Sequence, residues 1–259
     1  MQDLSVTLLQ SGLAWHDPAT NRAHFEGMIG TLTEPTDIIV LPEMFSTGFT
    51  MDVQGQAETL SGPTVRWLAE MARRSGAVVC GSLVIEDGGR YYNRCLWAAP
   101  DGSQQHYDKR HLFRMAREHE HYAAGETRLV VDLKGWRICP LVCYDLRFPV
   151  WSRGANAFDL LLYVANWPAA RRSAWQLLRP ARAVENQCYV AGVNRLGSDG
   201  QGVDYAGDSG VHDYLGNPLA DLGGTPGAHT AQLDGAGLVR YREKFPAWQD
   251  ADGFRLAPQ

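Results

Sequence analysis

Pro63-Thr64-Val65-Arg66-Trp67-Leu68-Ala69-Glu70-Met71-Ala72-Arg73-Arg74-Ser75-Gly76-Ala77-Val78-Val79-Cys80-Gly81-Ser82-Leu83-Val84-Ile85 reads as a helix running straight into a strand. Pro63 suits a first helical turn, where its missing N–H costs nothing. Val65, Leu68, Ala69 and Ala72 share one face at helical spacing, and Gly76 can cap the end. From residue 77 to 85 the pattern becomes a continuous apolar run rich in β-branched residues, which predicts a buried strand. Similar runs recur at 6–9, 38–41, 137–142, 160–164 and 189–193. A second helix is expected over about 173–186, with Trp175, Leu178 and Ala181 at helical spacing, again followed by a strand. Strands alternating with helices imply an α/β layered architecture that carries its chemistry at strand ends and the loops after them. Residues 197–227, rich in Gly and Asp, read as antiparallel strands with a turn at Leu215-Gly216-Asn217-Pro218, which excludes a simple doubly wound sheet.

The chain has 259 residues, of which 45% are hydrophobic and 20% charged, the profile of a globular enzyme. That length buries enough surface for a core without disulfide or metal support. No repeat or linker divides it, so one domain is expected. A net charge of -5 with scattered Lys and Arg argues against nucleic acid as a partner. No apolar run is long enough to cross a bilayer, and Met1-Gln2-Asp3-Leu4 carries no basic leader; cytoplasmic residence is the expectation. The five cysteines, at 80, 95, 139, 143 and 188, lack disulfide or zinc spacing and are expected as thiols.

In three places an apolar or β-type segment runs into an ionisable residue. Residues 38–42 lead to Glu43, 105–108 to Lys109 and 138–142 to Cys143. Singly, Glu43 could cap a turn, Lys109 could be a solvated lysine and Cys143 a small core hydrophobe. Together they form a mechanism. A thiol is mostly protonated at neutral pH, so a cysteine nucleophile needs a base and a cation beside it. Attack on an amide carbonyl also needs donors for the developing oxyanion, for which Lys109 and the Tyr144 amide are suitable.

Leu41-Pro42-Glu43, Tyr107-Asp108-Lys109-Arg110-His111-Leu112-Phe113 and Val142-Cys143-Tyr144-Asp145-Leu146-Arg147-Phe148-Pro149 resemble, in order and spacing, the three signature segments of the nitrilase superfamily. The resemblance spans about residues 4–233, leaving 234–259 as a C-terminal tail. It implies a Glu43-Lys109-Cys143 triad on a four-layer αββα sandwich, with two mixed sheets face to face and helices outside. It also implies a homodimer or higher homo-oligomer and no cofactor or metal. Glu118-His119-Glu120-His121-Tyr122-Ala123-Ala124-Gly125 resembles the segment supplying a second active-site glutamate; the role is placed on Glu118, with Glu120 chemically able as well. The tail, with Phe245, Trp248 and Phe254, packs either on its own domain or across a dimer.

Cys143-Tyr144-Asp145 followed by Arg147-Phe148-Pro149 resembles the Nit and omega-amidase branch. Asn166-Trp167-Pro168 and Ala181-Arg182-Ala183-Val184-Glu185-Asn186 strengthen a likeness to bacterial 2-oxoglutaramate amidases. The implied reaction is hydrolysis of the omega-amide of a 2-oxo-dicarboxylic acid monoamide to acid and ammonia through a cysteine thioester. Another amidase or N-carbamoyl hydrolase of the superfamily, or a binding protein that kept only the fold, are the alternatives. Tyr144, Asn166, Trp167 and Arg171 are the substrate-binding candidates. Arg171 is favoured to hold a carboxylate because it lies on the loop after a strand; Arg172 is read as solvated and Arg147 as structural, holding Asp145 or a helix end. A histidine base such as His111 lacks the surrounding signature of a papain-like enzyme, and His119-Glu120-His121 lacks a third metal ligand.

Overall fold

The computed structural model describes residues 1–256 of the chain; the last three residues of the C-terminal tail lie outside them. Chain order gives β1 (Leu4–Gln10), α1 (Pro18–Gly30), β2 (Ile38–Val40), α2 (Val53–Gln56), α3 (Pro63–Ser75), β3 (Val78–Asp87), β4 (Arg90–Ala98) and β5 (Gln104–Asp108). There follow β6 (Val131–Leu133), β7 (Trp136–Val142), α4 (Pro149–Ser152), β8 (Leu160–Ala165), α5 (Arg172–Asn186) and β9 (Tyr189–Asn194). The antiparallel section supplies β10 (Leu196–Ser198), β11 (Asp204–Ala206), β12 (Gly210–His212), β13 (Pro218–Asp221) and β14 (Gly227–Leu233), before α6 (Gly235–Lys244).

Two six-stranded sheets result, ordered β14-β1-β2-β3-β4-β5 and β13-β12-β9-β8-β7-β6, with β10 and β11 as a separate ribbon. Each mixes parallel and antiparallel pairs: β1, β2 and β3 run parallel in one, and β7, β8 and β9 in the other. Residues on one face of the first sheet, Val6, Leu8, Ile38, Val40 and Val78, share a core cluster with Ile138, Leu160, Leu162 and Val164 of the second. The alternate positions Leu9, Ile39, Leu41 and Val79 pack with Phe25 of α1 and Val65, Leu68 and Met71 of α3. Both faces are covered, so these strands read as unbroken apolar runs. The arrangement is the αββα sandwich, and the parallel strands point their C-terminal ends toward the three signature segments.

α3 stops at Gly76, whose φ of 68° is the left-handed conformation that glycine adopts freely. α1, absent from the sequence reading, has only Asn21 and Phe25 buried and so presents no apolar stripe. The start of the tail is helical: α6 buries Leu238, and Arg242 donates to the carbonyls of Gln187 and Phe158 and pairs with Asp159. Among the described residues no helix is long and apolar enough to cross a membrane.

Candidate active site

Four side chains called from the sequence arrive from four segments. Glu43 lies three residues beyond β2 and is fully buried. Lys109 follows β5 directly, its backbone N–H donating to the Asn93 carbonyl at 3.0 Å. Glu118 opens a short 3-10 turn over Glu118–Glu120. Cys143 opens another over Cys143–Arg147, immediately after β7, with φ of 43°. A residue with a Cβ is strained there, and such strain is characteristic of side chains held out for chemistry at a sharp strand-to-helix turn.

The Lys109 ammonium is 2.9 Å from Glu43 Oε1 and 3.0 Å from both Oε1 and Oε2 of Glu118. An ammonium has three N–H donors, and three carboxylate oxygens lie within hydrogen-bond distance of this one. Each of those oxygens has a further donor. Asn93 Nδ2 reaches Glu43 Oε1 at 2.7 Å and Glu118 Oε1 at 3.2 Å, and the Phe113 amide holds Glu118 Oε2 at 2.5 Å. Glu43 Oε2 accepts the Asn166 amide at 2.8 Å. Glu120 is exposed and pairs with Arg117, so the geometry brings Glu118, not Glu120, to the lysine.

These groups are almost wholly buried, and their ionisation follows from that. Burial opposes the charge on Lys109, but Glu118 and Glu43 outweigh it and hold the lysine above its ordinary range. Burial, reinforced by the Glu43 charge, raises Glu118, while Lys109 pulls it back. Burial also pushes the Cys143 thiol well above its usual range; Glu43 adds to the rise and Lys109 opposes it. Burial and the Glu43 charge thus both favour the thiol form of Cys143.

A cavity opens above this cluster, with Phe49, Phe113, Tyr144, Asn166, Trp167, Arg147 and Arg171 among its lining. The hairpin formed by β10 and β11 closes one side with Asp199, Gln201, Val203 and Tyr205. All four substrate-binding candidates reach the cavity wall. The structure adds a partner to Arg172 and corrects the reading of Arg147. Arg172 is exposed, as its solvated reading had it, and is paired there with Asp208 at 2.6 Å. Arg147 does not hold Asp145; its guanidinium lies 5.1 Å from the Trp167 ring, on the cavity wall. Arg171 sits 5.1 Å from the Phe113 ring. Among the described residues neither Arg147 nor Arg171 forms an ion pair, which leaves two cations facing the cavity.

Asp145 fastens the nucleophile turn to the lysine loop. Its buried carboxylate accepts Tyr107 Oη at 2.7 Å, the Val142 amide at 3.0 Å and the His111 amide at 3.1 Å, with His111 Nδ1 at 2.7 Å. His111 also stacks on Phe148 and is thereby engaged away from the thiol. Arg182 of α5 braces the same turn, donating twice to the Leu146 carbonyl at 2.8 and 3.1 Å. Among the described residues no group of three His, Cys, Asp or Glu side chains is placed to hold a metal ion.

Residues 5–243 match the carbon-nitrogen hydrolase family model. The chain belongs to the carbon-nitrogen hydrolase family. It is 51% identical to the omega-amidase YafV of Escherichia coli K12 over 99% of this chain and all of that one. It is 32% identical to the 2-oxoglutaramate amidase of Bacillus subtilis 168, covering 95% of this chain and 96% of that one. Among solved structures it superposes on XC1258 of Xanthomonas campestris, a CN-hydrolase superfamily protein with an arsenic adduct in its active site, with a TM-score of 0.97. The two share 47% identity over 99% of this chain and all of that one.

The sequence reading of this carbon-nitrogen hydrolase missed Asn93, Arg147 and Asp145 as members of the site. Asn93 lies inside β4 between Tyr92 and Arg94, where nothing in the sequence sets it apart. Arg147 and Asp145 were inside a quoted motif, but only the fold shows which way each side chain turns.

Proposed function

We propose that this enzyme is an omega-amidase, hydrolysing the terminal amide of a 2-oxo-dicarboxylic acid monoamide such as 2-oxoglutaramate to the acid and ammonia. The observation that carries the reading is one cavity with a thiol, two carboxylates and an ammonium at its foot and, on its wall, Arg147 and Arg171, neither ion-paired among the described residues. A short substrate with an amide at one end and a carboxylate at the other spans those features. The likeness to an omega-amidase and a 2-oxoglutaramate amidase supports the same substrate class.

The chemistry begins with Glu43 taking the thiol proton as Cys143 Sγ attacks the amide carbon. The oxyanion is held by Lys109 and the Tyr144 amide, which lies in the first turn of a helix and so has no acceptor within it. Collapse of the tetrahedral intermediate breaks the carbon-nitrogen bond, Glu43 returns its proton to the nitrogen, and ammonia leaves. Water, deprotonated by Glu43, then cleaves the Cys143 thioester and restores the thiol. Purified enzyme is expected to release ammonia from 2-oxoglutaramate, and Cys143→Ala to abolish release with the fold intact. Release that survives Cys143→Ala removes the nucleophile assignment. Preference for a nitrile or an N-carbamoyl compound over every omega-amide removes the substrate class.

The same reading includes a homo-oligomer and a cytoplasmic setting. Val184, Leu215, Val239 and Phe245 are large apolar side chains left exposed on α5, the β12–β13 turn and the α6 region, the kind of surface a second copy covers. The five cysteines are all unpaired, as a reducing compartment maintains them. Phe245→Asp is expected to lower the molecular mass in solution; an unchanged mass argues against that surface.

A further inference from the structure

We infer that Asn93 is a positioning residue that supplies the hydrogen bond the carboxylates need when Lys109 turns one N–H toward the oxyanion. The inference rests on the acyl-transfer reading above. In the resting site three carboxylate oxygens, Glu43 Oε1 and the two of Glu118, lie within hydrogen-bond distance of the Lys109 ammonium. An oxyanion competes with these three oxygens for the N–H groups of the ammonium. Serving one requires the lysine to loosen its hold on a buried carboxylate oxygen, and an unsatisfied buried anion is costly.

Asn93 meets that requirement. Its Nδ2 has two hydrogens and two carboxylate neighbours, Glu43 Oε1 and Glu118 Oε1, at 2.7 and 3.2 Å. The carboxylates only accept, so the amide nitrogen must face them. Glu118 Oε2 keeps the Phe113 amide in the same way. Either oxygen of Glu118 can thus release the lysine and still hold a donor. The arrangement also distinguishes the oxygens of Glu43: Oε1 already accepts two donors, whereas Oε2 accepts only the Asn166 amide, so Oε2 is the oxygen with capacity for the thiol proton.

A second observation separates this role from ordinary packing. Asn93 is fully buried on β4, yet its Oδ1 has no hydrogen-bond partner. A buried acceptor left unpaired disfavours folding, so the place of Asn93 rests on what its Nδ2 donates to the two carboxylates.

The test compares wild type, Asn93→Ala and Asn93→Ser in ammonia release from 2-oxoglutaramate and in alkylation of Cys143 by iodoacetamide, each across pH, with folding checked by circular dichroism. The serine variant keeps one hydroxyl donor and carries the test if the alanine variant does not fold. Loss of hydrogen bonds to charged groups is expected to lower kcat about 10- to 100-fold for Asn93→Ala and less for Asn93→Ser, with KM little changed. Carboxylates deprived of a donor hold protons more tightly, so the acid limb of both profiles is expected to move to higher pH. A folded variant whose acid limb stays in place, or whose loss is confined to KM, overturns the inference. Alkylation needs no substrate: a wild type inactive on omega-amides fails the substrate reading alone, and the alkylation limb still decides the role of Asn93.

Discussion

Arg172 is tied to Asp208 through two hydrogen bonds of 2.6 and 2.7 Å, which separates its fate from that of Arg171 next to it. The ion pair neutralises one arginine and leaves the other, stacked over Phe113, turned to the cavity. Arg171→Ala is therefore expected to raise KM for 2-oxoglutaramate by about 10- to 100-fold, the worth of a charge-assisted contact, with kcat falling less. Arg172→Ala is expected to leave KM near wild type. Steady-state kinetics on the two variants checks the contrast, and equal effects would contradict it.

Because Glu43 helps to keep the Cys143 thiol protonated, removing its charge has opposite effects on ionisation and on catalysis. Glu43→Gln is expected to let the thiolate form at lower pH than in wild type while lowering kcat by about 10²- to 10⁴-fold, the range for loss of a general base. Ultraviolet absorbance of the thiolate during a pH titration, read beside ammonia release, measures both. A thiolate appearing at higher pH in the variant would falsify the account of the resting thiol.

Asp145→Ala deprives Tyr107, His111 and the Val142 amide of their common acceptor. Several buried donors are then left unpaired, for an expected loss of about 3–5 kcal/mol of stability. Urea denaturation should show it as a fall in the midpoint. Asp145→Asn, which keeps one oxygen acceptor, should lose less.

His212 is buried, and burial together with the nearby Arg179 charge pulls its pKa down to about 4 from 6.5. A folded-state value below the unfolded one means that acid favours the unfolded chain. The stabilising contribution is full above about pH 6.5 and is lost as pH falls toward about 4. After allowance for screening by solvent, about 1–2 kcal/mol of the acid sensitivity is expected to be His212's. Denaturation midpoints at pH 7 and near pH 4.5 should therefore diverge less in His212→Leu than in wild type.

The parallel strands and both strongly amphipathic helices were legible because burial on both faces of a sheet, or on one face of a helix, leaves a periodic apolar record. Thus α3 begins at Pro63 and ends before Gly76 as its pattern requires. α1 left no such record, since its contact with the sheet depends on Phe25 and on Asn21, whose side chain bonds the carbonyls of Ala14 and Ser46. In the site, Glu43, Lys109 and Cys143 were legible because each ends or follows a strand, and chemistry restricts the residue type. The partners that orient them were not. Asn93 lies far from Glu43 and Glu118 along the chain, and Arg147 points at Trp167 only because the turn after Cys143 has the handedness it has.

Glu43, Lys109 and Asn93 are carried by the first sheet and Cys143 and Asn166 by the second, so the gap between Glu43 and Cys143 is fixed by the thickness of apolar packing between the sheets. Proton transfer is sensitive to a few tenths of an ångström, whereas a packed core absorbs an added methylene by shifting its layers. The interior of this molecule thereby sets the spacing of its reactive groups as a gauge block sets a machine. Enlarging a fully buried residue such as Val6 or Leu162 would register in turnover as well as in the melting temperature.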